Sequence, residues 1–276
     1  MLRVLDHIDA PRRCLRQRLE LVVVAAWLSA ACGAETSGPP STEPSVGSAE
    51  PAESAQSDVT TEIDAGVSSE EACKPASGTT GSPQTVLEVI ELINGLPMPV
   101  TLPCFLRSLD RPLQLVATSS VVSAQPAQGV ANPRLFIVSD ALSLSVVPRG
   151  PGRNLLEIGE ITAPNRSIKG ELEFPVEAPL ALDAAFTHIA ESSERTHCHG
   201  CHFPETPATD YPVAGAFESI AYRSIPRYEV NFDYVAYQFT TCDYSVDLDR
   251  CSMLAALFDQ GQVFPGAFPA EMPTFE

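Results

Sequence analysis

Ser167 to Val176 reads SIKGELEFPV, a run in which apolar or small residues alternate with polar ones. A period of two is that of a β-strand whose side chains point to opposite faces of a sheet. The run therefore predicts a strand with one buried and one polar face. The predicted buried residues are Ile168, Gly170, Leu172, Phe174 and Val176, and the predicted polar ones are Lys169, Glu171 and Glu173.

Four other β-branched or alternating runs precede this strand, separated by clusters of Pro, Gly, Asn and Asp. They are Leu113 to Val122, Arg134 to Val138, Leu142 to Val147 and Leu155 to Ile161. Strands at this spacing predict an antiparallel β-sandwich-like domain. A helix is predicted before them, because Thr85 and Glu88 have the spacing of a capping box and apolar residues follow at helical intervals. We place this helix-plus-β domain at 86–178.

The pattern changes beyond 178, and residues 179–276 are predicted to form a mostly helical, loop-rich module. Apolar residues from Leu180 to Ile189 suit a helix, and Asp249 to Gln260 suits another, with Gly261 just past its end. The proline-rich segment from Phe264 to Pro273 is predicted to be a loop. The whole chain is therefore predicted to belong to the α+β class.

Residues 1–31 have the form of a signal peptide. Five arginines precede an eleven-residue apolar run, LVVVAAWLSAA, which is too short to span a bilayer as a mature helix. The following Ser29-Ala30-Ala31-Cys32-Gly33 resembles a bacterial lipobox, and this resemblance implies that Cys32 becomes a lipid-modified N-terminus. Cleavage near Ala31 without lipidation is the alternative. Either way the chain is expected to be exported, and the lipobox implies attachment to the cell envelope.

Residues 32–85 are rich in Ser, Thr, Pro, Glu and Ala, which is typical of a disordered tether.

The whole chain has 35 acidic and 17 basic residues, a net charge of -18. Such acidity argues against nucleic-acid binding, because phosphates repel an acidic surface. The absence of any apolar run of 18 residues excludes a polytopic membrane protein.

The positions of the eight cysteines in the chain suggest different roles for them. Cleavage removes Cys14 and leaves Cys32 at the N-terminus. An oxidising compartment favours disulfides. Four of the remaining cysteines lie outside the motif that is described in the next paragraph, and we pair Cys73 with Cys104 and Cys242 with Cys251.

Cys198-His199-Gly200-Cys201-His202 is a Cys-x-x-Cys-His motif and resembles the haem attachment site of c-type cytochromes. The resemblance implies that Cys198 and Cys201 form thioethers with one haem and that His202 is the proximal iron ligand. It covers about the last third of the chain. Haem c is attached outside the cytoplasm, which agrees with the predicted export.

A sixth iron ligand is expected to be a methionine or a second histidine. Met272-Pro273 is similar to the methionine context of mono-haem cytochromes c, so Met272 is the first candidate. Met253 lies in a predicted apolar helix and His188 in the helix before the motif, and both are alternatives. The chain departs from the family because no helix follows Met272.

Two interpretations without haem remain open for the motif. Cys198, Cys201 and His202 could bind zinc together with His197 or His199, because thiolates and imidazoles are zinc ligands. Cys198 and Cys201 could instead form a disulfide.

The sequence therefore predicts an exported, lipid-anchored protein that binds one haem and transfers single electrons to a redox partner protein that the sequence does not identify. The alternative is a cell-envelope lipoprotein, without enzymatic activity, whose His/Cys cluster is a structural zinc site or a disulfide. A haem-dependent oxidoreductase or peroxidase ranks third, because no distal acid/base pair can be named.

Overall fold

The computed structural model describes residues 73–275, and the predictions for the signal peptide, Cys32 and the tether up to residue 72 lie outside these residues. Nine strands and five α-helices occur in this part of the chain. The strands are β1 Leu113–Thr118, β2 Arg134–Val138, β3 Leu142–Val146, β4 Leu155–Ala163, β5 Arg166–Glu173, β6 Thr206–Pro207, β7 Phe217–Ile220, β8 Glu229–Val230 and β9 Val263–Pro265. The helices are α1 Val86–Asn94, α2 Leu102–Ser108, α3 Ala184–Ile189, α4 Phe232–Thr240 and α5 Leu248–Phe258.

All nine strands belong to one sheet, in the order β6-β7-β5-β4-β3-β2-β1-β8, and β9 pairs with β1. Every pairing is antiparallel except the parallel β1–β9 pair. The predicted α+β class and antiparallel strands are confirmed.

Helices cover the inner face of this sheet, where a sandwich would have a second sheet. Ile168 and Leu172 of β5 point into the core, as the alternation in SIKGELEFPV predicts. Gly170 lies between them, and a Cβ added there would come 3.0 Å from Cβ of Ala185 in α3. A glycine at this position therefore lets α3 approach the strand closely.

Residues on both sides of position 178 share this sheet and one hydrophobic core. The strands β6 to β9 all come from the later part of the chain, and Phe186, Met253 and Leu257 pack in the same core as Phe105 and Leu156. The boundary predicted between 178 and 179 therefore does not separate two cores in the described residues. The reason is that α5 turns its apolar side towards α2 rather than towards a module of its own.

The predicted capping box at α1 forms with a shifted partner. The hydroxyl of Thr85 accepts a hydrogen bond from the backbone N–H of Glu88, and the Glu88 carboxylate accepts one from the N–H of Gln84 rather than from that of Thr85. The Glu160 carboxylate of β4 also accepts a bond of 2.9 Å from the N–H of Val86. These contacts tie the start of α1 to the sheet.

The last part of the predicted tether, residues 73–85, packs against the folded chain. The N–H of Ala76 donates to the carbonyl of Gly95 at 2.9 Å, and the N–H of Asp110 donates to the carbonyl of Gly81 at 2.8 Å. The folded region therefore includes these residues, and the predicted end of the tether at 85 is too late.

Both predicted disulfides are present. Cys73 pairs with Cys104 in α2 and Cys242 pairs with Cys251 in α5, with Cα atoms 5.1 Å and 5.6 Å apart, respectively. The first joins residues before α1 to the core, and the second closes the loop between α4 and α5. In the residues described here, no helix has the length and apolar character needed to cross a bilayer.

Replacing both Cys242 and Cys251 with alanine should lower the free energy of unfolding by about 2.5 kcal/mol, because the disulfide restricts a nine-residue separation in the unfolded chain. Denaturant unfolding of the double variant measures this change. Ser245→Ala, on the surface of the same loop, is the control and should stay within about 0.5 kcal/mol of the wild type. Equal stability of the double variant and this control would contradict the prediction.

Candidate functional site

The Cys-x-x-Cys-His motif begins in a short 3₁₀ turn, His197–Gly200, that follows α3. An isolated antiparallel bridge between Ala190 and Thr196 closes the loop in front of it. The hydroxyl of Thr196 accepts a hydrogen bond of 3.1 Å from the N–H of Cys198, which caps the turn. The N–H of His202 donates to the carbonyl of Cys198 at 2.9 Å. The backbone thus brings Cys198 and His202 into one compact loop.

Glu205 anchors the start of this loop. Its carboxylate accepts hydrogen bonds from both the N–H and the hydroxyl of Thr196, at 2.8 and 2.6 Å. Only 1% of the Glu205 side chain is exposed. A buried carboxylate that accepts two bonds from one residue fixes the position from which the motif begins.

The ring of His202 is held by the sheet. Its Nδ1 lies 2.7 Å from the carbonyl oxygen of Ile220 in β7. A carbonyl oxygen only accepts hydrogen bonds, so Nδ1 carries the proton and Nε2 presents a lone pair. Burial lowers the pKa of His202 to about 3, so the imidazole is neutral at physiological pH. This is the state in which histidine binds a metal, and a backbone acceptor at the other nitrogen is typical of such ligands.

Cys198 and Cys201 are both half-buried. The two disulfides of the described chain involve the other four cysteines, so the interpretation of the motif as a disulfide gains no support. Burial raises the pKa of Cys198 to about 11, and the charge of the nearby Lys169 in β5 opposes this shift. At neutral pH the Cys198 side chain is therefore a thiol.

Met272, the first candidate for the sixth ligand, lies on a segment that pairs with Arg223. The backbone carbonyl of Met272 accepts a hydrogen bond of 2.8 Å from Nε of Arg223. The neighbouring Tyr222 ring packs against His202 at 5.5 Å between centroids and against Phe275 at 5.3 Å. Met272 is buried, with 3% of its surface exposed. The fold thus brings two segments that are far apart in the sequence into contact with one tyrosine.

The other two candidates have different surroundings. Met253 lies in the main hydrophobic core. His188 is at the protein surface, where its Nε2 is 3.1 Å from a carboxylate oxygen of Glu171. Both side chains therefore have a structural explanation that involves no cofactor.

The remaining histidines of the motif do not complete a metal site in the structure. His197 is exposed, and His199 packs edge-on against Phe203 with its Nδ1 3.8 Å from Glu205. Among residues 73–275, no group of three or more His, Cys, Asp or Glu side chains is arranged to hold a metal ion. The zinc hypothesis therefore receives no support from the arrangement.

A surface cavity of about 510 Å³ lies at the other end of the sheet. The ends of β1 to β3 and the segments 81–84 and 267–269 line it, and it shares no residue with the motif loop. We therefore place the candidate site at the loop, where the histidine and cysteine side chains of the motif lie.

Sequence reasoning missed Lys169, Glu205 and Tyr222 as parts of this site. The alternation in SIKGELEFPV places Lys169 on the polar face of β5, but that pattern is equally typical of a solvated lysine. Burial of the lysine becomes visible only when the motif loop, which comes later in the chain, is placed beside that face.

No protein-family model, curated protein or solved structure matches this chain.

Proposed function

We propose that this protein is an exported, lipid-anchored electron carrier that binds one covalent c-type haem at the motif loop. Cys198 and Cys201 would hold the haem through thioether bonds, His202 would be the proximal ligand and Met272 the sixth ligand. The chemistry that a haem supplies in such a site is the one-electron oxidation and reduction of its iron. Export and the anchor at Cys32 rest on the sequence signals alone.

The state of His202 is the observation that carries the proposal. An iron ligand must be neutral, must have a free lone pair and must be held in a fixed orientation. The Ile220 carbonyl fixes the ring through Nδ1 at 2.7 Å and leaves Nε2 available. Burial keeps the imidazole neutral by lowering its pKa. A histidine with only a structural role would more often use both nitrogens in hydrogen bonds.

The donor set agrees with haem c better than with zinc. The motif supplies two cysteines and the adjacent histidine, and the neighbouring segment supplies a buried thioether. Thioethers are common axial ligands in cytochromes and are not among the usual ligands of zinc. The aromatic rings of Tyr222 and Phe275 give this side of the loop an apolar cover, and such cover influences the reduction potential.

The direct test is detection of covalent haem. The full-length protein should be produced in a host with c-type haem maturation, denatured in alkaline pyridine and examined for the reduced haemochrome spectrum. We expect about one haem per chain that stays with the polypeptide after acid–acetone extraction. The double variant Cys198→Ala/Cys201→Ala is the control and should have none. A wild-type protein without covalent haem would exclude the proposal.

A further inference from the structure

Two buried hydroxyl groups lie side by side on the outer face of the sheet, the face turned away from the hydrophobic core. Ser167 of β5 is directly opposite Ser219 of β7, and neither residue is exposed to solvent. Neither hydroxyl oxygen has a hydrogen-bond partner among the described residues. A buried hydroxyl without a partner is unfavourable, because it has lost its hydrogen bonds to water and gained none in exchange. Two of them next to each other therefore point to a ligand group that accepts hydrogen bonds.

Lys169 lies on the same face of β5, two residues from Ser167, and contributes a positive charge. No carboxylate in the described chain is within ion-pair distance of its ammonium group, because the neighbouring acids have other partners. Glu157 pairs with Arg134 at 2.5 Å, and Glu171 pairs with His188 at 3.1 Å. Burial lowers the pKa of Lys169 to about 8, so at neutral pH the amine is still mainly protonated. The site thus has two hydroxyls and one cation without a counter-ion at contact distance.

A glycine lies next to this cation. Gly159 of β4 is directly opposite Lys169 in the sheet register. A Cβ added at Gly159 would lie 3.9 Å from Nζ of Lys169 and 3.8 Å from the carbonyl oxygen of Ser143. A larger side chain at position 159 would extend past this Cβ position and displace the ammonium group. Gly159 therefore lets the ammonium group of Lys169 lie close to the backbone of β4.

The motif loop is adjacent to this part of the sheet. Lys169 is close enough to both Cys198 and His202 for its charge to lower the pKa of each. Ser219 immediately precedes Ile220, whose carbonyl holds the ring of His202. A molecule attached at Cys198 would therefore have Lys169 and Ser219 in its surroundings, with Ser167 directly opposite Ser219.

We propose that Lys169, Ser167 and Ser219 form a binding site for a carboxylate group. A carboxylate offers several acceptor positions, so it can take bonds from two hydroxyls and an ammonium group at once. Two sources would supply it: the carboxylate side chains of a haem attached at the motif, or a small free carboxylate. The first source rests on the proposed function, and the second does not.

The first arm of the test uses haem-loaded protein in which the haem carboxylates are labelled with ¹³C. A reduced-minus-oxidised infrared difference spectrum identifies the labelled carboxylate bands. We expect these bands to shift in Lys169→Gln. Lys74→Gln is the matched control, because Lys74 is exposed and is the other lysine of the chain, and it should leave the bands unchanged. Gly159→Val, which keeps the lysine but places a branched side chain against its ammonium group, should shift the same bands.

The second arm uses the full chain produced without haem maturation and labelled with ¹³C-lysine. Its two lysines give two sets of Cε signals in an NMR spectrum. Sodium acetate should shift the Lys169 signal saturably and leave the Lys74 signal in place, whereas sodium chloride at equal ionic strength should shift neither.

A response in either arm supports the site and identifies its source. If the wild type has covalent haem but neither arm responds, the carboxylate site is wrong and the proposed function stands. If the wild type has no covalent haem, the proposed function fails and the acetate titration alone decides the site. Absence of a saturable shift in that case overturns it.

Discussion

We expect the Met272→Leu variant of the haem-loaded protein to lose the weak red absorption band of methionine-ligated ferric haem completely. Leucine has nearly the same volume as methionine, so the substitution removes the sulfur with little change in packing. The loss of a thioether ligand should also lower the midpoint potential, because methionine ligation raises the potential of cytochromes c. Absorption spectra of the oxidised protein and a redox titration measure the two effects.

The control for this prediction is Met253→Leu. Met253 is buried to the same degree as Met272, at 4% exposure against 3%, but it lies in the hydrophobic core. We expect its band and midpoint potential to equal those of the wild type. A red band that persists in Met272→Leu would exclude Met272 as the sixth ligand. Loss of the band in Met253→Leu would then identify Met253 as the ligand, whereas a wild type without this band would point to a histidine such as His188.

The second large effect concerns the hydrophobic core and does not depend on any cofactor. Phe105 of α2 is completely buried, and its ring lies 6.0 Å from the ring of Phe174, between centroids. Phe105→Ala should lower the free energy of unfolding by about 3–5 kcal/mol, because it removes buried apolar surface and leaves a cavity. The midpoint of denaturant unfolding, at unchanged slope, measures this loss.

Phe264→Ala is the matched control for the core variant. Phe264 lies in β9 and is 47% exposed, so the same substitution there removes much less buried surface. We expect a change below about 1 kcal/mol. Equal losses for the two variants would show that α2 does not pack as the structure describes.

Local patterns predicted those elements whose residues carry a regular period. The strand β5 and its core residues Ile168 and Leu172 follow from alternation in one segment. The helix α5 follows from apolar spacing, although it begins at Leu248, with Asp247 as its N-cap, and ends at Phe258, two residues before the predicted end. Both disulfides follow from the positions of the cysteines outside the motif.

Elements whose local signals conflict with the structure were missed. Pro103 lies in the first turn of α2, where proline is tolerated, but the surrounding prolines are equally typical of a loop. The strand β9 contains Pro265 and has only three residues, which is too short for a period to appear. It forms because β1 offers a free edge, and that fact is not contained in the local sequence.

In the candidate site, too, some residues can be recognised from the local sequence and others only from the tertiary structure. The Cys-x-x-Cys-His motif is local and can be found from five consecutive residues. The partner of His202 is a backbone carbonyl at Ile220, which no sequence pattern marks. The serine pair at 167 and 219 depends on the register between two strands that are far apart in the sequence. Pairings of this kind come from tertiary structure.

The pairing of β1 has a consequence for how the chain folds. This strand pairs with β2 within a short stretch of sequence, but its other partners, β8 and β9, come much later in the chain. Contacts between residues so far apart slow folding, because a long loop must close before they form. Until then β1 has an exposed edge that can pair with other chains. Conditions that delay completion of the chain should therefore favour aggregation through β1.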